Sequence, residues 1–246
     1  MSLSKQGYIQ KIEPLGTFDG PGIRTVFFLS GCPLRCLYCH NPETWQANNG
    51  RLISVEEVLK LAKRYQPYYG KNGGITFSGG EPLMQSDFVA DCFKVLKENG
   101  FHTTLDTAGY SNNPKVDEIL KYTDLVLYDL KAADKDMYHS ITLGQKEVTD
   151  AFLAKTQHYN CKLWIRQVLV PGINDNDINL ELSAQSISNL KNVDRIEVLP
   201  YHTLGQTKYE KLNIEYPLKG LKPMEQAQAN LFQQRLIQRI IELHSN

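Results

Sequence analysis

Three cysteines stand close together near the start of the chain, at positions 32, 36 and 39, in the spacing C-x3-C-x2-C. Clustered thiolates bind soft metals, so zinc and an iron–sulfur cluster are both compatible with them. A structural zinc site needs a fourth protein ligand, and the obvious candidate, His40, is adjacent to Cys39, which is an awkward geometry. A four-iron cluster held by three cysteines would leave one iron open to a small molecule.

The other two cysteines do not extend this motif. Cys92 shares the apolar side of a predicted helix with Phe88 and Leu96, which indicates a buried core thiol. Cys161 stands at the entry of a predicted strand and has no partner motif. The chain has five cysteines, an odd number that disfavours a closed disulfide framework. The clustering of three of them favours metal or redox chemistry.

Composition excludes several other classes of protein. Of the 246 residues, 27 are Lys or Arg and 27 are Asp or Glu, so no charge excess indicates nucleic acid or an anionic membrane as a partner. The first residues, MSLSKQGYIQKIEP, contain no apolar run, and no later run approaches the length of a bilayer span. We therefore expect no signal peptide, no membrane segment and a cytoplasmic location.

The chain alternates strand and helix patterns, which predicts a parallel α/β sheet. Six strands are predicted, at residues 25–30, 74–78, 102–105, 124–130, 162–170 and 195–200. The predicted helices are at 54–65, with a capping box of Ser54 and Glu57, then at 86–99, 114–122, two stretches up to about 159, 177–190 and 223–244. No linker interrupts this rhythm, so we predict one domain over residues 1–246. The pattern does not separate an open sheet from a barrel.

Polar residues follow the predicted strands, where parallel folds carry their functional groups. They are Cys32, Cys36 and Cys39 after the first strand, Gly79, Gly80 and Glu81 after the second, Asp106 and Thr107 after the third, Asp129 and Lys131 at the end of the fourth, and Tyr201 and His202 after the sixth. Arg166 lies within the fifth strand, where a charge needs a partner or a polar cavity. We expect these side chains to converge on one site.

Two of these residues allow more than one chemistry. Asp106 and Asp129 lie at the ends of neighbouring predicted strands, and paired carboxylates could serve as the acid and base of a hydrolase. They could equally bind a hard cation through oxygen. The spacing alone does not decide between these roles.

At this point the sequence resembles a known family. An aromatic residue before the third cysteine, Tyr38, and the Gly79-Gly80-Glu81 triplet after the next strand are similar to the two signatures of radical S-adenosylmethionine enzymes. Seven segments resemble the pyruvate formate-lyase-activating enzymes nearly end to end: DGPGIR (19–24), GCPLRCLYCHNPETW (31–45), SGGEPLMQ (78–85), LDTAG (105–109), LYDLK (127–131), WIRQVLVPG (164–172) and LPYHTLG (199–205). One departure is Ala108, where that family often has asparagine.

The resemblance implies a partial (β/α)6 barrel of the TIM type and a [4Fe-4S] cluster in the loop at 31–45. No cysteine lies between this loop and Gly79, so no extra ferredoxin-like insert is expected. The implied reaction is reductive cleavage of S-adenosylmethionine to a 5′-deoxyadenosyl radical, which takes a hydrogen atom from a glycine of pyruvate formate-lyase. The implied electron donor is flavodoxin or ferredoxin, and the implied oligomeric state is a monomer.

The resemblance also implies a role for each site residue. Cys32, Cys36 and Cys39 would hold the cluster. The cofactor would be bound by Tyr38, Cys39, His40, Gly79, Gly80, Glu81, Asp129, Leu130, Lys131, Arg166 and His202, with Lys131 and Arg166 near its carboxylate or ribose and His202 on its nucleoside side. A monovalent cation, Na⁺ or K⁺, would be held by Asp106, Thr107, the Leu127 carbonyl and Asp129.

Some alternatives remain open on the sequence. The DGPGIR segment is either a tight turn leading into the first strand or a loop that contacts the site or a partner. Rival functions are activation of another glycyl-radical enzyme, such as anaerobic ribonucleotide reductase, and a small-molecule radical reaction such as carboxy-deazaguanine synthesis. A structural zinc protein or a zinc hydrolase is the rival outside this chemistry.

Overall fold

A computed structural model describes residues 5–245 of the chain. These residues divide into two compact units. The first unit contains the chain up to Pro33, Glu43–Leu127 and Val148–Lys162, and the second contains Leu34–Pro42, Tyr128–Glu147 and the chain from Leu163 onward. That residues 1–246 form one domain stays a prediction, and the units are described separately below.

The described residues contain eight strands, two more than the sequence predicted. They are β1 (Gln6–Gly16), β2 (Arg24–Leu29), β3 (Arg51–Ser54), β4 (Gly74–Gly79), β5 (Thr103–Thr107), β6 (Leu125–Asp129), β7 (Lys162–Leu169) and β8 (Val193–Pro200). Six of these match the predicted strands. The strands β1 and β3 were missed because they form through long-range antiparallel pairing, such as Ile9 opposite Leu29 and Gln6 opposite Ser54, which local propensity does not show.

The strands of each unit form a mostly parallel arrangement. In the first unit the order is β3-β1-β2-β4-β5, followed by Leu125–Leu127 of β6, and β4 is parallel to both β2 and β5. In the second unit the end of β6 is followed by β7 and β8, which pair in parallel. Each order is open, ending at β3 and at β8 respectively. This confirms the predicted α/β class, with parallel strands in a partial barrel.

The described residues contain eight α-helices, placed mostly as predicted. They are α1 (Val55–Tyr69), α2 (Ser86–Glu98), α3 (Val116–Lys121), α4 (Lys135–Thr142), α5 (Lys146–Thr156), α6 (Asp177–Ser188), α7 (Gln206–Lys211) and α8 (Gln226–Ser245). The capping box at α1 is confirmed, because Ser54 Oγ accepts from Glu57 N and the Glu57 carboxylate accepts from Ser54 N. The short α7 was missed in a polar segment. No helix of the described chain is both long and apolar enough to cross a membrane.

The DGPGIR segment has a structural role at the start of β2. The Arg24 side chain is fully buried, and its guanidinium donates to Thr76 Oγ1 at 2.6 Å, Thr104 Oγ1 at 2.8 Å and the Ile75 carbonyl at 2.8 Å. Gly22 has φ 69°, and a Cβ there would lie 2.6 Å from Gly73 N, so this turn requires glycine. These contacts lie at the amino-terminal end of the parallel strands, away from their functional ends.

The same buried arginine makes the stability of the protein depend on pH through His102. Burial, and then the charge of Arg24 with its Nη2 at 3.1 Å from His102 Nδ1, lower the pKa of His102 to about 4. Because the unfolded chain takes up a proton near pH 6.5 and the folded protein does not, stability falls as pH drops from about 6.5 to about 4.

We expect His102→Gln to reduce this loss. The measurement is the free energy of unfolding of both proteins by denaturant at pH 7.5, 6 and 5. As pH falls, the free energy of unfolding of the wild type should decrease more than that of His102→Gln. A difference that is constant across this range would contradict the prediction.

Candidate functional site

The cysteine motif is divided between the two units. Cys32 belongs to the first unit, where its N–H donates to the Trp45 carbonyl at 3.2 Å. Cys36 and Cys39 belong to the second unit, where the Cys39 N–H donates to the Cys36 carbonyl at 3.0 Å in a tight turn. None of the three forms a disulfide within residues 5–245, and each side chain is half-buried. In the part of the chain that the structure describes, no three His, Cys, Asp or Glu side chains are grouped to hold a single metal ion.

The Cys36 thiol lies in an environment that disfavours an isolated thiolate. Loss of water around it raises its pKa to about 11, although the positive charge of Lys131 acts in the opposite direction. A thiolate here therefore needs positive charge beside it, which the iron of a cluster provides. The donor set and its environment fit an iron–sulfur cluster.

Asp129 in the second unit lies between two cations. Its Oδ2 is 3.0 Å from Lys131 Nζ and its Oδ1 is 3.2 Å from an Arg166 guanidinium nitrogen. Burial raises the pKa of Asp129, but Lys131 and Arg166 outweigh burial and hold it below the usual range. Burial likewise opposes the charge of Lys131, and Asp129 outweighs burial and raises its pKa. Two cationic side chains therefore lie beside this one carboxylate, and such cationic groups suit an anionic ligand.

Aromatic side chains of the second unit accompany these charges. Lys131 Nζ lies 5.6 Å from the centre of the buried Tyr38 ring. The rings of His40 and His202 stack with their centres 4.1 Å apart, and burial followed by repulsion from His202 lowers the pKa of His40 to about 4. Both imidazoles are neutral at neutral pH, and their flat faces suit a planar, uncharged ring such as a nucleobase. The Leu130 N–H donates to the Arg166 carbonyl at 2.8 Å, which fixes the backbone after β6.

The two glycines at the end of β4 allow very close backbone approach in the first unit. Gly79 has φ 114°, and a Cβ on it would lie 2.3 Å from Leu29 N. A Cβ on Gly80 would lie 2.3 Å from the Gly31 carbonyl oxygen. Backbone bonds from Gly80 N to the Leu29 carbonyl at 2.9 Å and from Glu81 N to the Gly31 carbonyl at 2.8 Å complete the turn. No other residue type fits these positions.

Glu81 fastens this turn to the end of β5. Its buried carboxylate accepts from Thr107 Oγ1 at 2.5 Å, from Ala108 N at 3.0 Å and from Leu83 N at 3.1 Å. Burial raises the pKa of Glu81 to about 7, against the lowering effect of these donors. The other predicted residue on β5, Asp106, accepts from Ser78 Oγ at 2.5 Å. Glu81 therefore joins the ends of β4 and β5 and does not point a free charge at solvent.

The structure thus brings together the predicted residues of each unit. Cys36, Tyr38, Asp129, Lys131 and Arg166 form one group in the second unit, and Gly79, Gly80, Glu81 and Thr107 form another in the first. The core role of Cys92 is confirmed, since its thiol is fully buried in α2, and Cys161 is also buried.

Sequence reasoning missed two residues of this region. Gln85 holds β1 through two hydrogen bonds of 2.8 Å: its amide accepts from Tyr8 N and donates to the Tyr8 carbonyl. Tyr138 of α4 is buried near the cysteine loop and belongs to no motif. The sequence signal for Gln85 was its place at the end of the SGGEPLMQ segment. The sequence carried no signal for Tyr138.

Comparison with known proteins agrees with this arrangement. A family model described as the Radical SAM superfamily matches residues 26–181, which include all three motif cysteines and the glycine pair. The crystal structure of a radical SAM methyltransferase from Sphaerobacter thermophilus superposes with a TM-score of 0.60 at 20% identity, covering 88% of this chain and 64% of that chain. This second likeness is one of fold alone.

Sequence relatives extend over nearly the whole chain. The pyruvate formate-lyase-activating enzyme of Clostridium pasteurianum is 49% identical over 220 residues, which are 89% of this chain and 92% of that protein. The pyruvate formate-lyase 1-activating enzyme of Escherichia coli K12 is 40% identical over 224 residues, 90% of this chain and 91% of that protein. The two zinc interpretations are therefore set aside. The chain belongs to the radical SAM superfamily and, within it, to the family of pyruvate formate-lyase-activating enzymes.

Proposed function

We propose that this protein activates pyruvate formate-lyase by generating a glycyl radical on it under anaerobic conditions. The observation that carries the proposal is the match, at 40 to 49% identity over about nine-tenths of the chain, to proteins named for that activity. The reaction needs a [4Fe-4S] cluster and S-adenosylmethionine, both of which membership of the radical SAM superfamily implies.

Cys32, Cys36 and Cys39 are the residues that would hold the cluster. When bound, it supplies the electron that cleaves S-adenosylmethionine to methionine and a 5′-deoxyadenosyl radical, which takes hydrogen from a glycine of the partner. The raised pKa of Cys36 supports this assignment, because iron offsets the cost of a thiolate in this environment.

Lys131 and Arg166 would bind the carboxylate of the methionine moiety. The guanidinium and ammonium groups meet at Asp129, and charge-assisted hydrogen bonds from such groups are the ones that bind carboxylates most strongly. Because Asp129 holds both side chains in place, little ordering is needed when the ligand arrives. In the first unit the close turn at Gly79 and Gly80, fixed by Glu81, would present a backbone carbonyl to the methionine amino group.

The nucleoside would be bound by residues of the second unit. The stacked rings of His40 and His202 offer a flat apolar face, and the backbone from Tyr38 to His40 offers donors and acceptors to an adenine. The Leu130 backbone lies beside the charged group through its bond to Arg166 and would contribute to the ribose side.

We also propose that a monovalent cation, Na⁺ or K⁺, binds at this site. Its ligands would be Asp106, Thr107, the Leu127 carbonyl and Asp129. Thr107 supports it, because its hydroxyl donates to Glu81 and accepts from Gly109 N at 2.8 Å, which leaves one lone pair for a cation. The affinity for S-adenosylmethionine should then be higher in KCl or NaCl than in an equal concentration of tetramethylammonium chloride.

The partners and location follow the same proposal. We assign pyruvate formate-lyase as the protein substrate and flavodoxin or ferredoxin as the electron donor. The protein would act as a cytoplasmic monomer, without nucleic acid or membrane as a partner.

Electron paramagnetic resonance tests the proposal directly. The iron-reconstituted protein is mixed anaerobically with a reductant, S-adenosylmethionine and pyruvate formate-lyase, and 5′-deoxyadenosine is measured in the same sample. We expect a glycyl-radical doublet on the lyase. Formation of 5′-deoxyadenosine without a doublet would keep the radical chemistry and overturn the assigned partner, which would favour one of the rival radical functions. Absence of both products would overturn the proposal.

A further inference from the structure

Three asparagines of the chain are followed directly by glycine, in the pairs Asn49-Gly50, Asn72-Gly73 and Asn99-Gly100. Asparagine before glycine is chemically labile, because the glycine nitrogen can attack the side-chain amide carbon and glycine has no side chain to obstruct the succinimide ring that forms. All three pairs lie in the first unit, and all three asparagines are exposed. Dipeptide and exposure therefore do not separate them, and a difference in reactivity must come from the local structure.

The glycine nitrogen of the second pair is held by a helix. Gly73 N donates to the Tyr69 carbonyl in the last turn of α1 at 2.8 Å. The chain is also crowded here, since a Cβ on Gly73 would lie 2.1 Å from the Ile23 carbonyl oxygen. The nitrogen must give up its proton and approach the side chain before it can attack, so this bond and this packing protect Asn72.

The third pair is held at both of its reacting groups. Gly100 N donates to the Lys97 carbonyl at 3.0 Å. Asn99 caps the carboxyl end of α2, and its side-chain Nδ2 donates to the Val95 carbonyl at 2.9 Å. The attacking nitrogen and the amide group that would leave are therefore both engaged, which protects Asn99.

The first pair has the opposite arrangement. Gly50 N donates to Oδ1 of the adjacent Asn49 at 2.9 Å, so the nitrogen already lies beside the amide carbon that it would attack. Both residues lie outside the helices and strands, directly before β3. Because the Asn49 side chain is exposed and the rotation about its terminal bond is soft, the amide carbon can turn its face to this nitrogen.

We propose that Asn49 is a site of spontaneous deamidation, selected by the folded structure over the other two pairs. The Gly50 nitrogen loses its proton and forms a bond to Asn49 Cγ, the Cγ–Nδ2 bond breaks, and the side-chain nitrogen leaves as ammonia with that proton. Water then opens the succinimide at either carbonyl, which gives aspartate or isoaspartate. Water is the only co-reactant and nothing is oxidised or reduced, so this inference is independent of the proposed function.

The isoaspartate product changes the attachment of this loop to the end of β2. The Asn49 carbonyl accepts a hydrogen bond from the hydroxyl of Ser30, which is 1% exposed and directly follows β2. In isoaspartate the main chain runs through the former side chain, so this carbonyl becomes a free carboxylate and the chain gains a methylene. A Cβ on Gly50 would lie 2.3 Å from the Ile9 carbonyl oxygen, so the longer chain has no space toward β1. Isoaspartate therefore lowers the stability of the protein.

Peptide mapping by mass spectrometry tests the proposal on the full-length protein. The protein is incubated in mildly alkaline buffer made with water labelled with heavy oxygen, which marks only those asparagines that react during the incubation. The three pairs fall in different tryptic peptides, so their rates are measured in one sample. We expect Asn49 to react at least several-fold faster than Asn72 and Asn99 in the folded protein, and the three rates to converge in concentrated urea.

The matched control is Asn49→Gln, whose longer side chain would have to close a larger and less favourable ring. This variant should form no labelled product at its own position and should leave the rates at Asn72 and Asn99 unchanged. The denaturant midpoint of the wild type should fall as the modified fraction rises, whereas that of equally aged Asn49→Gln should stay constant.

Equal rates at the three pairs in the folded protein would overturn the proposal, because the structure would then make no selection. Reaction of Asn49 in urea but not in the folded protein would overturn it as well, since the fold would then protect this pair. An unchanged midpoint in extensively modified wild type would contradict the loss of stability assigned to isoaspartate.

Discussion

Replacing Cys36 with alanine should abolish both cluster binding and cleavage of S-adenosylmethionine. Each thiolate of the motif would bind a different iron, and two remaining cysteines do not hold a four-iron cluster stably. After anaerobic reconstitution, iron and sulfide should fall from about four each per chain, as this cluster type requires, to near zero. Formation of 5′-deoxyadenosine should fall to the level of a protein-free control.

The matched control for this variant is Cys92→Ala. Cys92 is fully buried in α2 among apolar side chains, so its loss leaves a small cavity and lowers stability without removing a ligand. This control should keep its iron and its activity when measured well below its unfolding temperature. If Cys36→Ala keeps its iron and still produces 5′-deoxyadenosine, the assignment of the motif is wrong.

Replacing Glu81 with alanine should destabilise the protein by several kcal/mol and weaken its binding of S-adenosylmethionine. The substitution removes the acceptor of the Thr107 hydroxyl and of the N–H groups of Leu83, Ala108 and Tyr110. Each such donor costs about 1–3 kcal/mol if nothing replaces the carboxylate. The turn at Gly79 and Gly80 also loses its attachment to β5, so a carbonyl presented there is no longer held in place.

Denaturant unfolding and equilibrium binding of S-adenosylmethionine to the reconstituted protein measure the two effects. Glu81→Gln should lie between wild type and Glu81→Ala, because it keeps an acceptor oxygen but turns an amide group toward one N–H. Glu118→Ala is the control on α3, where the half-exposed ion pair with Lys115 contributes little to stability. Wild-type stability and affinity in Glu81→Ala would contradict the role assigned to this carboxylate.

Much of the chemistry could be predicted from local patterns in the sequence. The spacing of Cys32, Cys36 and Cys39 restricts the metals that can bind, because coordination chemistry depends mainly on ligand type and number. The capping box at Ser54 and the alternation of strands and helices were also local, and both are confirmed. Glycine at 79 and 80 signalled close approach, since no other residue tolerates it.

What the sequence could not show depends on pairing between distant segments. The strands β1 and β3 form only because partners far along the chain complete their hydrogen bonds. The same holds for Arg24, whose buried side chain joins the DGPGIR segment to β4 and β5, and for Glu81, whose carboxylate accepts a hydrogen bond from Thr107. The sequence by itself determined which chemistry is available to this protein, and the tertiary structure decided which side chains support that chemistry and which hold the fold.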